Sequence, residues 1–158
     1  MQKFIATAVV LAAATLFSKA VAQTATVDRF TQDELMKQAQ LLEQKASEGG
    51  SAAAKLTEYP NHFTMISLRK KSGAAEVHLH QADFFFVLKG TATLVTGGTV
   101  VDAKTDSPGE TRGTSITGGT RTALEKGDIV HIPANVPHQV LLPEHSEFVY
   151  FVIKVQEQ

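Results

Sequence analysis

The chain has no cysteine among its 158 residues. Disulfides, thiolate metal sites, cysteine nucleophiles and a lipid-modified cysteine anchor are therefore excluded. Neither sign of charge dominates, since 15 Lys plus Arg stand against 16 Asp plus Glu for a formal net charge of −1. The basic residues are scattered apart from Arg69-Lys70-Lys71, so the chain carries no nucleic-acid footprint, and that short run reads as the solvated end of a strand. No apolar run reaches the roughly 20 residues that a spanning helix requires. Ser115 and Ser146 lack a Gly-x-Ser-x-Gly context, Gly97-Gly98 and Gly118-Gly119 precede no phosphate-cradling helix, and no carboxylate pair suits glycoside hydrolysis.

What is present begins with a leader. Lys3 opens a positive start, an apolar run extends from Phe4 to Phe17, and Ala20-Val21-Ala22 supplies a small-x-small cleavage pattern. Residues 1–22 are expected to be a signal peptide, which places the protein in a periplasm or outside the cell with no stable membrane insertion after cleavage. The remainder suits one domain with one core. Within it, residues 23–60 read as an N-terminal helix and connector and 61–158 as a barrel domain. Thr31 with Glu34 forms a capping-box pattern, and Leu35, Met36, Ala39, Leu42 and Ala46 recur at helical spacing until Gly49-Gly50. Ser51 to Lys55 is then expected to be a short connector.

From Phe63 onward short β-type segments alternate with turn residues, the texture of an all-β antiparallel sandwich or barrel. Strands are predicted at Phe63 to Lys70, Glu76 to His80, Phe84 to Lys89, Ala92 to Thr96, Arg121 to Leu124, Ile129 to Ile132, Gln139 to Leu142 and Phe148 to Val155. The Thr-, Ser- and Gly-rich stretch Asp102 to Gly119 reads as an exposed excursion. Phe84-Phe-Phe-Val-Leu88 and Phe148-Val-Tyr-Phe-Val-Ile153 are apolar on both faces. Their outer faces require cover, either from the Thr31 helix or from a second copy in a homodimer.

The residues with chemistry in them are histidines. His78 and His80 are two apart, and alternate side chains of a strand share a face, so a His-x-His spacing aims both imidazoles at one point. His138 follows the turn Pro133-Ala-Asn-Val-Pro137 as a third donor. Three imidazoles can hold a single divalent transition metal and leave positions open for a ligand; Fe, Mn, Ni, Cu and Zn all suit that set.

These residues resemble the two motifs of the cupin superfamily. Gly73, His78, His80, Asp83 and Gly90 stand in the roles of the first motif, and Gly127, Pro133 and His138 in those of the second. The resemblance spans Phe63 to Val155 and implies a jelly-roll-like antiparallel barrel with one N-terminal helix, and a metal held by His78, His80, Asp83 and His138. The chain departs from the pattern at several points. Asp83 replaces the usual Glu and follows His80 after only Gln81 and Ala82. Gly73 lies one residue nearer His78, Asn135 stands in place of a turn Gly, and Leu142 in place of a trailing Asn. Cupin barrels host isomerases, epimerases, dioxygenases, decarboxylases, storage proteins and sugar-binding regulators, so the fold does not select a reaction. The function expected here is that of an exported single-domain cupin binding one transition metal through three histidines with no substrate selected, a metal-dependent dioxygenase or isomerase being one form of it, and a non-catalytic small-molecule-binding or structural cupin the alternative. Of the remaining candidates, His131 reads equally as a group supporting the site and as a surface or interface histidine. His62 and His145 read as exposed. Glu76 shares the face of His78 and could orient an imidazole, and Arg69 offers a cation if it is not a solvated strand end.

Overall fold

The computed structural model describes residues 27–157. The expected signal peptide over 1–22 lies outside the described residues.

The helical stripe forms, but in two pieces. Thr31 caps α1 (Gln32–Gln40) with the full capping box: its hydroxyl accepts from the Glu34 N–H at 3.2 Å and the Glu34 carboxylate accepts from the Thr31 N–H at 2.7 Å. At Leu42 the N–H bonds back only three residues, to the Ala39 carbonyl at 3.0 Å, and this tightened turn separates α1 from α2 (Glu43–Gly49). The single predicted helix is thus a bent pair. Both pieces keep one apolar stripe, in which Leu35, Ala39, Leu42 and Ala46 pack on Ala52, Ile66, Leu68 and Val149.

The expected connector is a strand. β1 (Ser51–Glu58) pairs antiparallel with β2 (His62–Arg69), Ala52 opposite Leu68 and Ala54 opposite Ile66. Ala-Ala-Ala has weak intrinsic β preference, which hid the strand; what decides is packing, because its small side chains let α2 lie close over the sheet. The chain continues through β3 (Ala75–His78), β4 (Gln81–Lys89), β5 (Ala92–Thr96), β6 (Thr99–Val101) and β7 (Lys104–Ser107). It then forms β8 (Glu110–Gly113), β9 (Ser115–Thr117), β10 (Thr120–Leu124), β11 (Ile129–Ile132), β12 (His138–Leu141) and β13 (Phe148–Gln156).

Two antiparallel sheets face each other, one ordered β1-β2-β13-β4-β11 and the other β10-β5-β12-β3-β8-β7, with β6 and β9 as a separate ribbon. The doubly apolar strands divide their side chains between two cores. On β13, Phe148, Tyr150 and Val152 face the space between the sheets, while Val149 and Phe151 lie under the helices. Leu88 of β4 joins the same helical layer. The α1–α2 pair therefore provides much of the cover these strands needed, each buried side chain stabilising by roughly 1.5–3 kcal/mol. Gly90 closes the β4–β5 turn at φ 82, where an added Cβ would lie 1.9 Å from the Glu147 carbonyl oxygen, so only glycine fits.

Candidate metal centre

Glu76, His78 and His138 converge between the two sheets, each offering one donor atom within 4.8 Å of the others. Register explains the meeting. Across the second sheet Glu76 sits opposite His138 on β12 and opposite Arg112 on β8, while His78 sits opposite Glu110. Directly opposite residues of paired strands share a face, so all five side chains belong to one inward-facing patch. Asp83 reaches the patch from the first sheet, on the inner face of β4, with its Oδ2 3.5 Å from Nε2 of both His78 and His138.

Each imidazole is oriented through its other nitrogen. His78 Nδ1 donates to the Glu110 carboxylate at 2.7 Å, and His138 Nδ1 donates to the Val136 carbonyl at 3.0 Å. Nε2 of each ring then faces the centre, buried and without a hydrogen-bond partner among the described residues. Leaving two such atoms unsatisfied in the interior is costly, so they mark a place where something binds. Glu76 Oε2 lies 3.4 Å from His78 Nε2 and 3.9 Å from His138 Nε2. Donors held about 2.1 Å from one ion stand about 3.4 Å apart at a tetrahedral angle and about 3.0 Å apart at a right angle, so this spacing fits a transition metal. Imidazole held by a carboxylate or carbonyl through its far nitrogen is the usual arrangement around such an ion.

The electrostatics agree. Burial pushes His78 down, but Asp83 and Glu76 beside it more than reverse this and raise its pKa to about 9. Metal-free, the site thus holds a proton where a dication would sit. Burial raises Glu76, yet His78, Arg112 and Arg69 outweigh it and bring its pKa down to about 2. Asp83 is likewise pushed up by burial and drawn below the usual carboxylate range by His78 and Lys154, whose Nζ is 2.5 Å from Oδ1. For His138 burial dominates and holds the imidazole below its ordinary value.

His80 is not brought into this group. β3 ends at His78, and Leu79 and His80 form the bend that carries the chain from one sheet to the other; the Leu79 N–H bonds to the Gly109 carbonyl at 2.8 Å. His80 is exposed. Strand alternation, the basis for aiming it with His78, stops two residues too early, and Glu76 on the other side of His78 occupies the shared face instead. The same bend accounts for the short interval before Asp83, which returns inward because it belongs to the opposite sheet.

The remaining candidates divide between the cavity and the surface. Arg69 is not a solvated strand end: it is largely buried, its Nε donates to the Tyr150 hydroxyl at 2.8 Å, and it lines the cavity beside the site. Gly73 leaves room for it, since a Cβ there would come within 2.6 Å of the guanidinium. His131 is exposed on β11 and stacks on Phe84 at 4.4 Å, away from the centre. His145 is exposed, and His62 is half-buried against the Tyr59 ring at 4.6 Å. The stretch Asp102 to Gly119 is not merely an excursion, for it contains β8 and thereby delivers Glu110 and Arg112. Their signal was present in the alternation of Glu110 with Arg112, but without β3 as partner nothing gave that alternation a face.

No protein-family model and no curated protein sequence matches the chain. Solved structures do. A Klebsiella pneumoniae protein with a double-stranded β-helix domain shares 17% identity over 84% of this chain and 93% of its own, with TM-score 0.57. The cupin domain of Schizosaccharomyces pombe Cnp3 shares 10% over 68% and 65%, with TM-score 0.51. Salicylate 1,2-dioxygenase from Pseudoaminobacter salicylatoxidans, crystallised with gentisate, shares 18% over 78% and 31%, with TM-score 0.52. The fold is that of a cupin. Within the cupin fold, Asn135 can replace the turn glycine because it adopts φ 62, a left-handed conformation that Asn tolerates, and its N–H donates to the His78 carbonyl at 2.7 Å.

Proposed function

We propose that this chain binds one divalent transition metal, from among Fe, Mn, Ni, Cu and Zn, through Glu76, His78, Asp83 and His138, and uses it on a small molecule in the adjoining cavity. One observation carries the reading: two buried, unpartnered Nε2 atoms converge on two carboxylates at donor separations of 3.4–3.9 Å. When bound, such an ion supplies Lewis-acid or redox chemistry at an oxygen of the substrate. The protein's part is positioning. Glu110 and the Val136 carbonyl fix the rings, Lys154 holds Asp83, and the sheet walls restrict water in a cavity of about 310 Å³. Two imidazoles and one carboxylate are the set used by non-haem iron oxygenases; either Glu76 or Asp83 would supply that carboxylate, which favours dioxygenase over isomerase chemistry. The likeness to salicylate 1,2-dioxygenase is one of fold and is compatible with that preference.

The test is metal content of the full chain, purified without a histidine tag. Wild type is expected to carry about one ion per chain, and His78→Ala and His138→Ala to carry none, as fits a site with three or four protein donors. A folded wild type that takes up none of the five metals overturns the proposal. Ligand-induced stabilisation without turnover would instead select the non-catalytic binder.

Among the described residues no helix is long and apolar enough to cross a membrane. The pattern of residues 1–22 supports export to a periplasm or beyond, which N-terminal sequencing of the processed protein tests. The edge strand β11 leaves Ile129 67% exposed beside the Phe84–His131 stack, which supports a homodimer across that edge, tested by sedimentation.

A further inference from the structure

Two guanidinium groups enter the same cavity from opposite sheets, Arg69 from β2 and Arg112 from β8. Arg69 is engaged through Nε with the Tyr150 hydroxyl. Arg112 is not similarly satisfied: its Nη1 is buried without a hydrogen-bond partner among the described residues, 3.7 Å from Glu76 Oε2. Its Nη2 lies 3.2 Å from Glu110 Oε2, which anchors the group from one side, and the side chain lines the cavity. A buried guanidinium N–H with no protein acceptor at hydrogen-bond distance leaves room for one from outside the chain.

Charge leads to the same point. Around the centre three carboxylates, Glu76, Asp83 and Glu110, stand against three cations, Arg69, Arg112 and Lys154. Leaving the imidazoles aside, these six groups sum to zero. A bound dication leaves two positive charges in excess within a partly closed, low-dielectric space, which favours an anionic ligand. The lining also holds apolar side chains from both sheets, Phe85 and Val152 from the first and Val140 from the second. The cavity, about 310 Å³, suits a small ligand with an apolar body.

We infer that the site takes a small organic acid, its carboxylate donated to by Arg112 Nη1 and its apolar body lying against Phe85, Val140 and Val152. The charge argument rests on the metal reading proposed above and deepens it by naming the substrate class; the orphaned Nη1 stands without it. Arg112 is a binding residue here, and it touches substrate rather than metal.

The experiment uses the full chain without a histidine tag, metal-free and loaded with Mn(II), titrated calorimetrically with benzoate, benzamide and inorganic phosphate. Benzoate is expected to bind the loaded wild type, with benzamide and phosphate weaker by about 10- to 100-fold, the range for a hydrogen bond to a charged group. Arg112→Met is expected to lose a similar factor for benzoate and Arg112→Lys less, because lysine keeps the charge but not the planar fork. Both variants should still take up Mn(II). If benzamide binds as tightly as benzoate, or if Arg112→Met binds benzoate like wild type, the organic-acid inference fails while the metal reading stands; should that variant not fold, wild-type affinity in Arg112→Lys together with tight benzamide binding overturns the inference equally. Phosphate binding as tightly as benzoate overturns the organic-acid assignment. A wild type that takes up none of the five metals yet binds benzoate through Arg112 upholds the anion site and overturns the metal reading. Failure of benzoate to bind in either state overturns the inference.

Discussion

Around β5, β10 and β11, Phe85, Leu94, Leu124, Ile132 and Phe148 are 0–4% exposed and form one apolar cluster; around β3, β8 and β12 the same inter-sheet space holds carboxylates, imidazoles, guanidiniums and a cavity. The first region is what hydrophobic burial would build unaided. The second runs against it, because buried ionic groups contribute little to stability even when paired and are costly when left unpaired. Barrel closure supplied by one end lets the other keep its buried ionic groups in place. Retaining such a cluster beside a cavity is a mark of function.

The largest effect separating the two regions should come from Phe148→Ala. Fully buried in the apolar cluster, this ring should cost about 3–5 kcal/mol of stability when truncated. Denaturant unfolding of the metal-free protein measures that loss, and the folded fraction should still bind metal; lost metal binding with unchanged stability would dissolve the contrast. Next is Glu110→Gln, which removes the carboxylate that orients His78. Metal affinity should fall by about 10- to 100-fold, with stability little altered, as measured by competition with a chromophoric chelator. A comparable affinity in the variant would mean that the His78–Glu110 bond positions nothing.

The pH dependence follows in size. With His78 raised to about 9, a metal entering at neutral pH must displace a proton. Apparent affinity should therefore rise about tenfold per pH unit and level off near pH 9, and calorimetry in buffers of different ionisation enthalpy should register about one proton released. Stability of the metal-free protein moves the other way. Its folded His78 pKa lies above the unfolded value, so that contribution is full below about pH 6.5 and disappears as pH rises towards 9. An affinity that is flat from pH 6 to 9 would contradict both. The smallest effect belongs to His80→Ala, where exposure outside the cluster predicts metal affinity within about twofold of wild type and a stability change within about 0.5 kcal/mol. A large loss of metal there would place His80 back among the donors.

Much of the barrel is legible in the chain. Ala92–Thr96 and Ile129–Ile132 are strands at the predicted bounds, and β2, β4, β10, β12 and β13 differ from expectation by a few residues at their ends. Their apolar periodicity and Gly-rich turns are local properties. β1 escaped because its alanines carry no such period, and β7, β8 and β9 because Thr, Ser and Gly on a partly solvated sheet look like loop. At the site, the metal-directed reading of His78 and His138 needed only their motif context. Glu110, Arg112 and Lys154 could not be placed, because each reaches the centre by pairing with a strand distant in sequence.

By itself the chain determined the absence of thiol chemistry, the capped N-terminal helical stripe, a β-domain and the two histidines around which a centre could form, since composition and short-range periodicity act within a few residues. Only the tertiary structure decided that Glu76 rather than His80 faces His78, that Asp83 returns from the opposite sheet, and that a polar stretch supplies the groups orienting the site. Those outcomes depend on where β3 stops and on which strand pairs with it, and strand register is settled by long-range packing rather than by neighbouring residues.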